Sequence, residues 1–176
     1  MGKIIEEVKG LYKIISIEEF RKTPNVEFTV LAGKNLPKID SIDKVVHKNK
    51  AVSPGFNDEG DRTWYMHPGQ DDNLIVLHGE RKVEIYTKEH GRVEKFKITS
   101  DCVFKNDVQV CFESAVLVWP QGVFHRITSG DEGSISINLA THYDDFDIKT
   151  NFNIYTLDTQ SGEYIVYRLG HEDQMA

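Results

Sequence analysis

Tyr65-Met66-His67-Pro68-Gly69-Gln70-Asp71-Asp72-Asn73-Leu74-Ile75-Val76-Leu77-His78-Gly79 is the stretch on which the fold reading turns. A histidine, a Pro-Gly turn and a carboxylate precede an apolar run that stops at a glycine. Downstream, Trp119-Pro120-Gln121-Gly122-Val123-Phe124-His125 delivers a second histidine straight after another turn. Proline presets φ and glycine accepts positive φ, so Pro120-Gln121-Gly122 reads as turn geometry first. In a strand, residues two apart share a face, which sends Tyr65 and His67 to the same side.

Around these segments the pattern is one of short strands separated by turn residues. They fall near 63 to 67, 73 to 78, 82 to 87, 93 to 98, 108 to 112, 115 to 119, 123 to 128 and 134 to 141. His90-Gly91 and Ser129-Gly130-Asp131-Glu132-Gly133 read as hairpin turns. Residues 153 to 157 and 163 to 169 form a C-terminal hairpin. Regular short strands argue for an all-β sandwich or barrel. Before them, apolar residues at 4, 5, 8, 11, 12 and 15 trace a helical stripe. Ser16 and Glu19 make a capping-box pattern for a short helix ending near Pro24. Residues 26 to 32 alternate as a first strand, and 33 to 62 read as a long connection with one short strand at Val45-Val46.

Composition narrows the function classes. The chain has 176 residues, enough for one domain with a sizeable core. A formal net charge of -7 gives no electrostatic reason to bind nucleic acid. No run of about 18 apolar residues suggests a membrane span, and no signal peptide is visible. Cys102 and Cys111 lack zinc-like spacing and read as reduced, mostly buried thiols, which fits a cytoplasmic location.

The two turn segments resemble the signature motifs of the cupin superfamily. His67 stands at the second histidine position of the first motif, Asp72 at its glutamate, Gly79 at its closing glycine, and Tyr65 where the family has its first histidine. In the second motif Pro120, Gly122 and His125 match, while Ser114 replaces the first glycine and Ser129 the final asparagine. The resemblance covers roughly residues 60 to 142. It implies a cupin-type double-stranded β-helix, a jelly-roll barrel, to which the residue patterns add a short N-terminal helix and a C-terminal hairpin. The expected layout is an N-terminal extension with the first strands (1–60), a core barrel carrying both motifs (61–142) and the hairpin region (143–176).

The same resemblance implies that His67, Asp72 and His125 hold a divalent metal, iron, zinc, manganese or nickel, with Tyr65 positioning substrate or moving a proton. Dioxygenase, isomerase and decarboxylase chemistry on a small polar molecule all fit that reading. The alternative is a metal-free cupin, either a sugar-nucleotide epimerase or isomerase with histidine as base and tyrosine as acid, or a non-catalytic ligand-binding sensor. For the sugar-nucleotide version, Arg62, Arg81 and Lys82 are the nearby basic residues. Tyr86, Asn138 and His142 are expected to contact a ligand inside the barrel. His78 shares the parity of Asp72, Arg126 points away from His125, and His47, His90 and His171 read as solvated loop residues. A homodimer through the N-terminal strand or the 153 to 169 hairpin is expected, because open sheet edges need cover.

Overall fold

A computed structural model describes residues 2–31 and 33–174. The chain opens with β1 (Ile4–Val8) and β2 (Tyr12–Ser16), an antiparallel hairpin turning at Gly10, whose φ is +77°. The helical stripe expected here is therefore a pair of strands. β2 also pairs with Ala115–Val118 downstream, and this inter-strand ladder overrides the local period. The short helix from Ser16 is absent too. β3 (Glu18–Thr23) and β4 (Val26–Val30) form a separate two-stranded sheet around Pro24 and Asn25, and the Ser16 hydroxyl accepts the Lys3 N–H instead of capping a helix. Ala32, the last residue of the strand expected there, lies outside the described residues.

After a single 3-10 turn at Gly33–Asn35 comes β5 (Ser41–His47), longer than the two-residue strand expected. Its outer residues are exposed and its inner ones half-buried in strict alternation. Asp43 and Lys44 hide that period in the sequence. Next are β6 (Val52–Ser53), β7 (Trp64–Met66), β8 (Gln70–Tyr86), β9 (Glu94–Ile98), β10 (Val103–Lys105), β11 (Val108–Cys111) and β12 (Ala115–Trp119). The chain then continues through β13 (Phe124–His142), β14 (Ile154–Leu157) and β15 (Tyr164–Arg168). No helix among the described residues is long and apolar enough to cross a membrane.

β8 and β13 are the frame. Each was expected as two short strands and is one continuous strand that belongs to both faces of the barrel. The first half of β8 pairs with β12 and the second half of β13, and its second half pairs with β9 and the first half of β13. Ser129–Gly133 is consequently an irregularity inside β13, not a hairpin turn: Ser129 faces Arg81 while Ser134 faces Gly79. Gly79 and Gly133 have φ of +73° and +80°, and a Cβ on Gly79 would stand 2.2 Å from the Gly133 carbonyl oxygen. Only glycine permits that crossing.

The main core fills one side of the barrel with Leu11, Tyr12, Ile14, Val83, Ile85, Phe96, Ile98, Val103, Leu117 and their neighbours. A second cluster of Trp64, Met66, Tyr86, Phe124 and Tyr155 lies on the outer face, beneath the β14–β15 hairpin. Nearly all-β, with two sheets closed around shared strands, this is a cupin-type jelly roll. Its interior is apolar on one side only.

Candidate functional site

The other side of the interior is a cavity of about 660 Å³. β7 places Tyr65 and, just beyond its end, His67. The chain then turns through Pro68-Gly69, where a Cβ on Gly69 would meet the Phe146 backbone at 2.8 Å. Gln70 and Asp72 follow on the inner face of β8. The second turn is stitched to the first, because the Gly122 N–H donates to the His67 carbonyl at 2.9 Å and the Gln121 N–H to Asp71 Oδ1 at 2.7 Å. β13 then begins at Phe124 and sets His125 directly opposite Tyr65.

The result is a convergence of His67, Asp72 and His125, all buried, with their ligand atoms within 4.8 Å of one another. His67 Nε2 lies 3.4 Å and His125 Nε2 3.9 Å from the same oxygen, Asp72 Oδ2. The remaining nitrogens fix the tautomers. His67 Nδ1 is 2.6 Å from the Asn151 carbonyl and His125 Nδ1 is 3.2 Å from that of Val123. A carbonyl only accepts, so both Nδ1 atoms carry hydrogen. In the neutral rings both Nε2 lone pairs then face a carboxylate oxygen, and only a proton or a cation makes that arrangement favourable.

Asp72 is held from behind. Its Oδ1 accepts from Gln70 Nε2 at 2.7 Å and from Asn138 Nδ2 at 2.6 Å, leaving Oδ2 for the imidazoles. Burial, followed by the neighbouring His67, pushes the His125 imidazole down to about 4, so it is neutral at pH 7. The Tyr65 ring lies 6.3 Å from that of His67 and 5.9 Å from that of His125, centroid to centroid. Trp119 packs 5.1 Å from His125, and its buried Nε1 has no partner among the described residues. Phe152 stands edge-on to His67 at 5.1 Å.

These residues fit a divalent metal. Two Nε2 atoms and one carboxylate oxygen face one point, and each imidazole donates its other N–H to a backbone carbonyl, the outer support that metal-bound histidines use. Aspartate in place of glutamate still reaches, because β8 carries it to the imidazoles directly.

The other expected contacts divide. Asn138 lines the cavity and binds Asp72. Tyr86 is buried in the outer cluster instead, and His142 stacks on Phe146 at 3.7 Å, outside the cavity lining. One bulge explains Tyr86. Ser136 pairs with Val76 and Ile135 with His78, so Leu77 is an extra residue that flips the parity of β8. Beyond it the odd residues Arg81, Val83 and Ile85 point inward. His78 is exposed for the same reason. Arg126 faces outward as expected, stacking on Trp64 and pairing with Glu84.

His47, which reads as a loop residue in the sequence, sits on β5 and lines the cavity, bonded to the Ser129 hydroxyl at 2.9 Å. Its position two and four residues from Val45 and Asp43, on one face of a strand, was the available signal. Of the three basic candidates Arg81 lines the cavity, while Arg62 binds Thr128 Oγ1 and the Ile127 carbonyl at the edge of an outer groove and Lys82 is exposed. Ile148, Phe152, Asp173 and Gln174, from the segments flanking the C-terminal hairpin, complete the wall.

No protein-family model matches the chain, and no curated protein matches it. Solved structures do. The sugar 3,4-ketoisomerase QdtA from Thermoanaerobacterium thermosaccharolyticum, in complex with TDP, is similar at 16% identity with a TM-score of 0.54, over 79% of this chain and 85% of that one. The TDP-quinovose 3,4-ketoisomerase WlaRB from Campylobacter jejuni is 14% identical with a TM-score of 0.57, over 78% and 89%. The dTDP-4-dehydrorhamnose 3,5-epimerase from Sulfolobus tokodaii is 15% identical with a TM-score of 0.58, over 82% and 77%. At these identities the likeness establishes the jelly-roll fold.

Proposed function

We propose that the chain is an isomerase or epimerase of a nucleotide-linked keto sugar, working by proton transfer with His67 as base and Tyr65 as acid. The observation that carries this reading is the pairing of His67, fixed as its Nδ1–H tautomer, with Asp72 Oδ2 at 3.4 Å inside the cavity. Nε2 takes the proton from the carbon next to the carbonyl, and the C–H electron pair becomes the enolate double bond. The imidazolium so formed is stabilised by the Asp72 carboxylate beside that nitrogen, while the Asn151 carbonyl keeps Nδ1–H in place. Tyr65 protonates the enolate oxygen to give an enediol; His67 then returns its proton to the former carbonyl carbon while the other enediol hydroxyl gives its proton back to the Tyr65 phenolate, which moves the keto group. In an epimerisation Tyr65 instead protonates the same carbon of the enolate from the face opposite His67, which inverts it, and both side chains regain their protonation states by exchange with solvent. Neither outcome consumes a redox equivalent. The ketoisomerases and epimerases with this fold support the choice over dioxygenase or decarboxylase chemistry.

A second reading keeps the same residues. The three converging ligand atoms also suit a divalent metal, held by His67, Asp72 and His125, which would supply Lewis acidity at a substrate oxygen.

One experiment separates the two. TDP-4-keto-6-deoxyglucose is incubated with the protein in deuterated water and followed by NMR, with and without chelator, alongside metal analysis of untagged protein. The first reading expects deuterium entry next to the carbonyl, insensitive to chelator and slowed about 10²–10⁴-fold in His67→Ala. Exchange abolished by chelator, with near one equivalent of metal in the wild type, establishes the second. No exchange under either condition overturns the first.

A further inference from the structure

Arg81 is 2% exposed and lines the cavity, yet among the described residues no acid forms an ion pair with it. Its Nε donates to Ser134 Oγ at 3.0 Å and its Nη2 to the Val45 carbonyl at 3.3 Å, both neutral acceptors. Nη1 has no acceptor among the described residues, and none of the acids lining the cavity, Asp43, Asp72 and Asp173, forms an ion pair with it. A buried guanidinium without a counter-charge costs folding free energy, which a bound anion would return.

The surroundings are all neutral hydrogen-bonding groups. Ser134 Oγ lies 2.7 Å from Ser129 Oγ, and that hydroxyl lies 2.9 Å from His47 Nδ1. Burial, then the charge of Arg81, presses the His47 imidazole down to about 4, so it faces the guanidinium as a neutral ring. Arg81 sits opposite Ser129 on β13, four residues along from His125 and on the same strand face, which separates the two groups by roughly 13 Å of strand. Asp72 and the imidazole pair therefore stand at one end of the cavity, with Asp43 beside Asn138, and Arg81 stands at the other.

We infer that Arg81, His47, Ser129 and Ser134 form an oxyanion subsite, which takes a phosphate or carboxylate carried by the ligand at the end of the cavity remote from His67. The fork of guanidinium N–H groups suits either anion, and the hydroxyl pair adds donors without adding charge. This rests on the cavity being the ligand site proposed above, and not on the reaction at His67.

The test is thermal unfolding of the full chain with inorganic phosphate, glucose 1-phosphate, glucuronate and glucose, on wild type, Arg81→Met and His67→Ala. Phosphate and at least one charged sugar should raise the wild-type midpoint by about 5–10 °C at roughly hundredfold excess over Kd, and glucose should not. The better of glucose 1-phosphate and glucuronate identifies the anion as phosphate or carboxylate. His67→Ala should keep the shift. Arg81→Met should lose it while unfolding no lower than wild type in anion-free buffer, since an unpaired buried charge has gone. No shift in wild type, or an undiminished shift in Arg81→Met, overturns the subsite. If Arg81→Met does not fold, His47→Phe decides, and a full phosphate shift there overturns it. Loss of the shift in Arg81→Met without deuterium exchange in the wild type sinks the isomerase reading and leaves the subsite standing. Exchange with an Arg81-independent shift does the reverse.

Discussion

The two sides of the barrel interior are built from the same strands and to opposite ends. Between β2, β9, β10, β11 and β12 the space is filled by packed aliphatic and aromatic side chains, of which Ile14, Val83, Ile85, Ile98, Val103 and Leu117 are fully buried. Under β5, β6, β7 and β13 it is left open and lined by His47, His67, Asp72, Arg81, His125 and Asn138. β8 serves both, giving Val83 and Ile85 to one side and Asp72 and Arg81 to the other. Close packing and buried polarity are segregated across the barrel. Close packing on one side supports a polar, partly unpaired surface on the other, where each buried charge or lone pair is a cost unless something binds it.

The sharpest way to break this contrast is in the packed side. Leu117→Ala should cost about 2–5 kcal/mol in denaturant unfolding, the toll of a cavity in a close-packed core, while the deuterium exchange of the surviving folded protein stays near wild type. A loss below about 1 kcal/mol would mean that the apolar side does not carry the fold. On the polar side, Asp72→Asn keeps the shape and the acceptor oxygen for Gln70 and Asn138 but removes the charge. Stability should move by no more than about 1 kcal/mol in either direction, and exchange should fall at least about tenfold. A stability loss as large as that of Leu117→Ala would erase the distinction.

A third test, also of the polar side, uses acid. His47 is held at about 4 against its ordinary 6.5, so the unfolded chain binds its proton more readily than the folded one. Stability is whole above pH 6.5 and drains as pH falls from there toward 4. His47→Gln should therefore show a weaker drop in urea midpoint between pH 7 and pH 4.5 than wild type. Parallel curves would show that His47 is no more costly to charge when folded than when unfolded.

Much of the site was legible because it depends on turn chemistry and on parity within short segments. Pro68-Gly69 and Pro120-Gln121-Gly122 mark the two turns that flank His67, Asp72 and His125, and both are local in the sequence. The C-terminal hairpin was equally local, with Asp158 to Gly162 between two β-rich runs. What misled was parity carried too far. From Asp72 to Tyr86 an unbroken strand would keep even residues inward, but the bulge at Leu77 reverses them, hiding Arg81 and misplacing Tyr86 and His78. No residue type marks that bulge in advance. The N-terminal strands failed for another reason. Their apolar spacing fits a helix, and what decides against it is a partner strand 100 residues away, at Ala115–Val118.

The sharing of β8 and β13 between both sheets governs how the molecule comes apart. Two sheets with strands of their own can melt one after the other. Here neither can lose its order without dissolving the strands that hold the other. Amide protons on both sheets should therefore exchange with one common opening free energy along β8 and β13, while the β3–β4 hairpin, paired with neither, opens on its own.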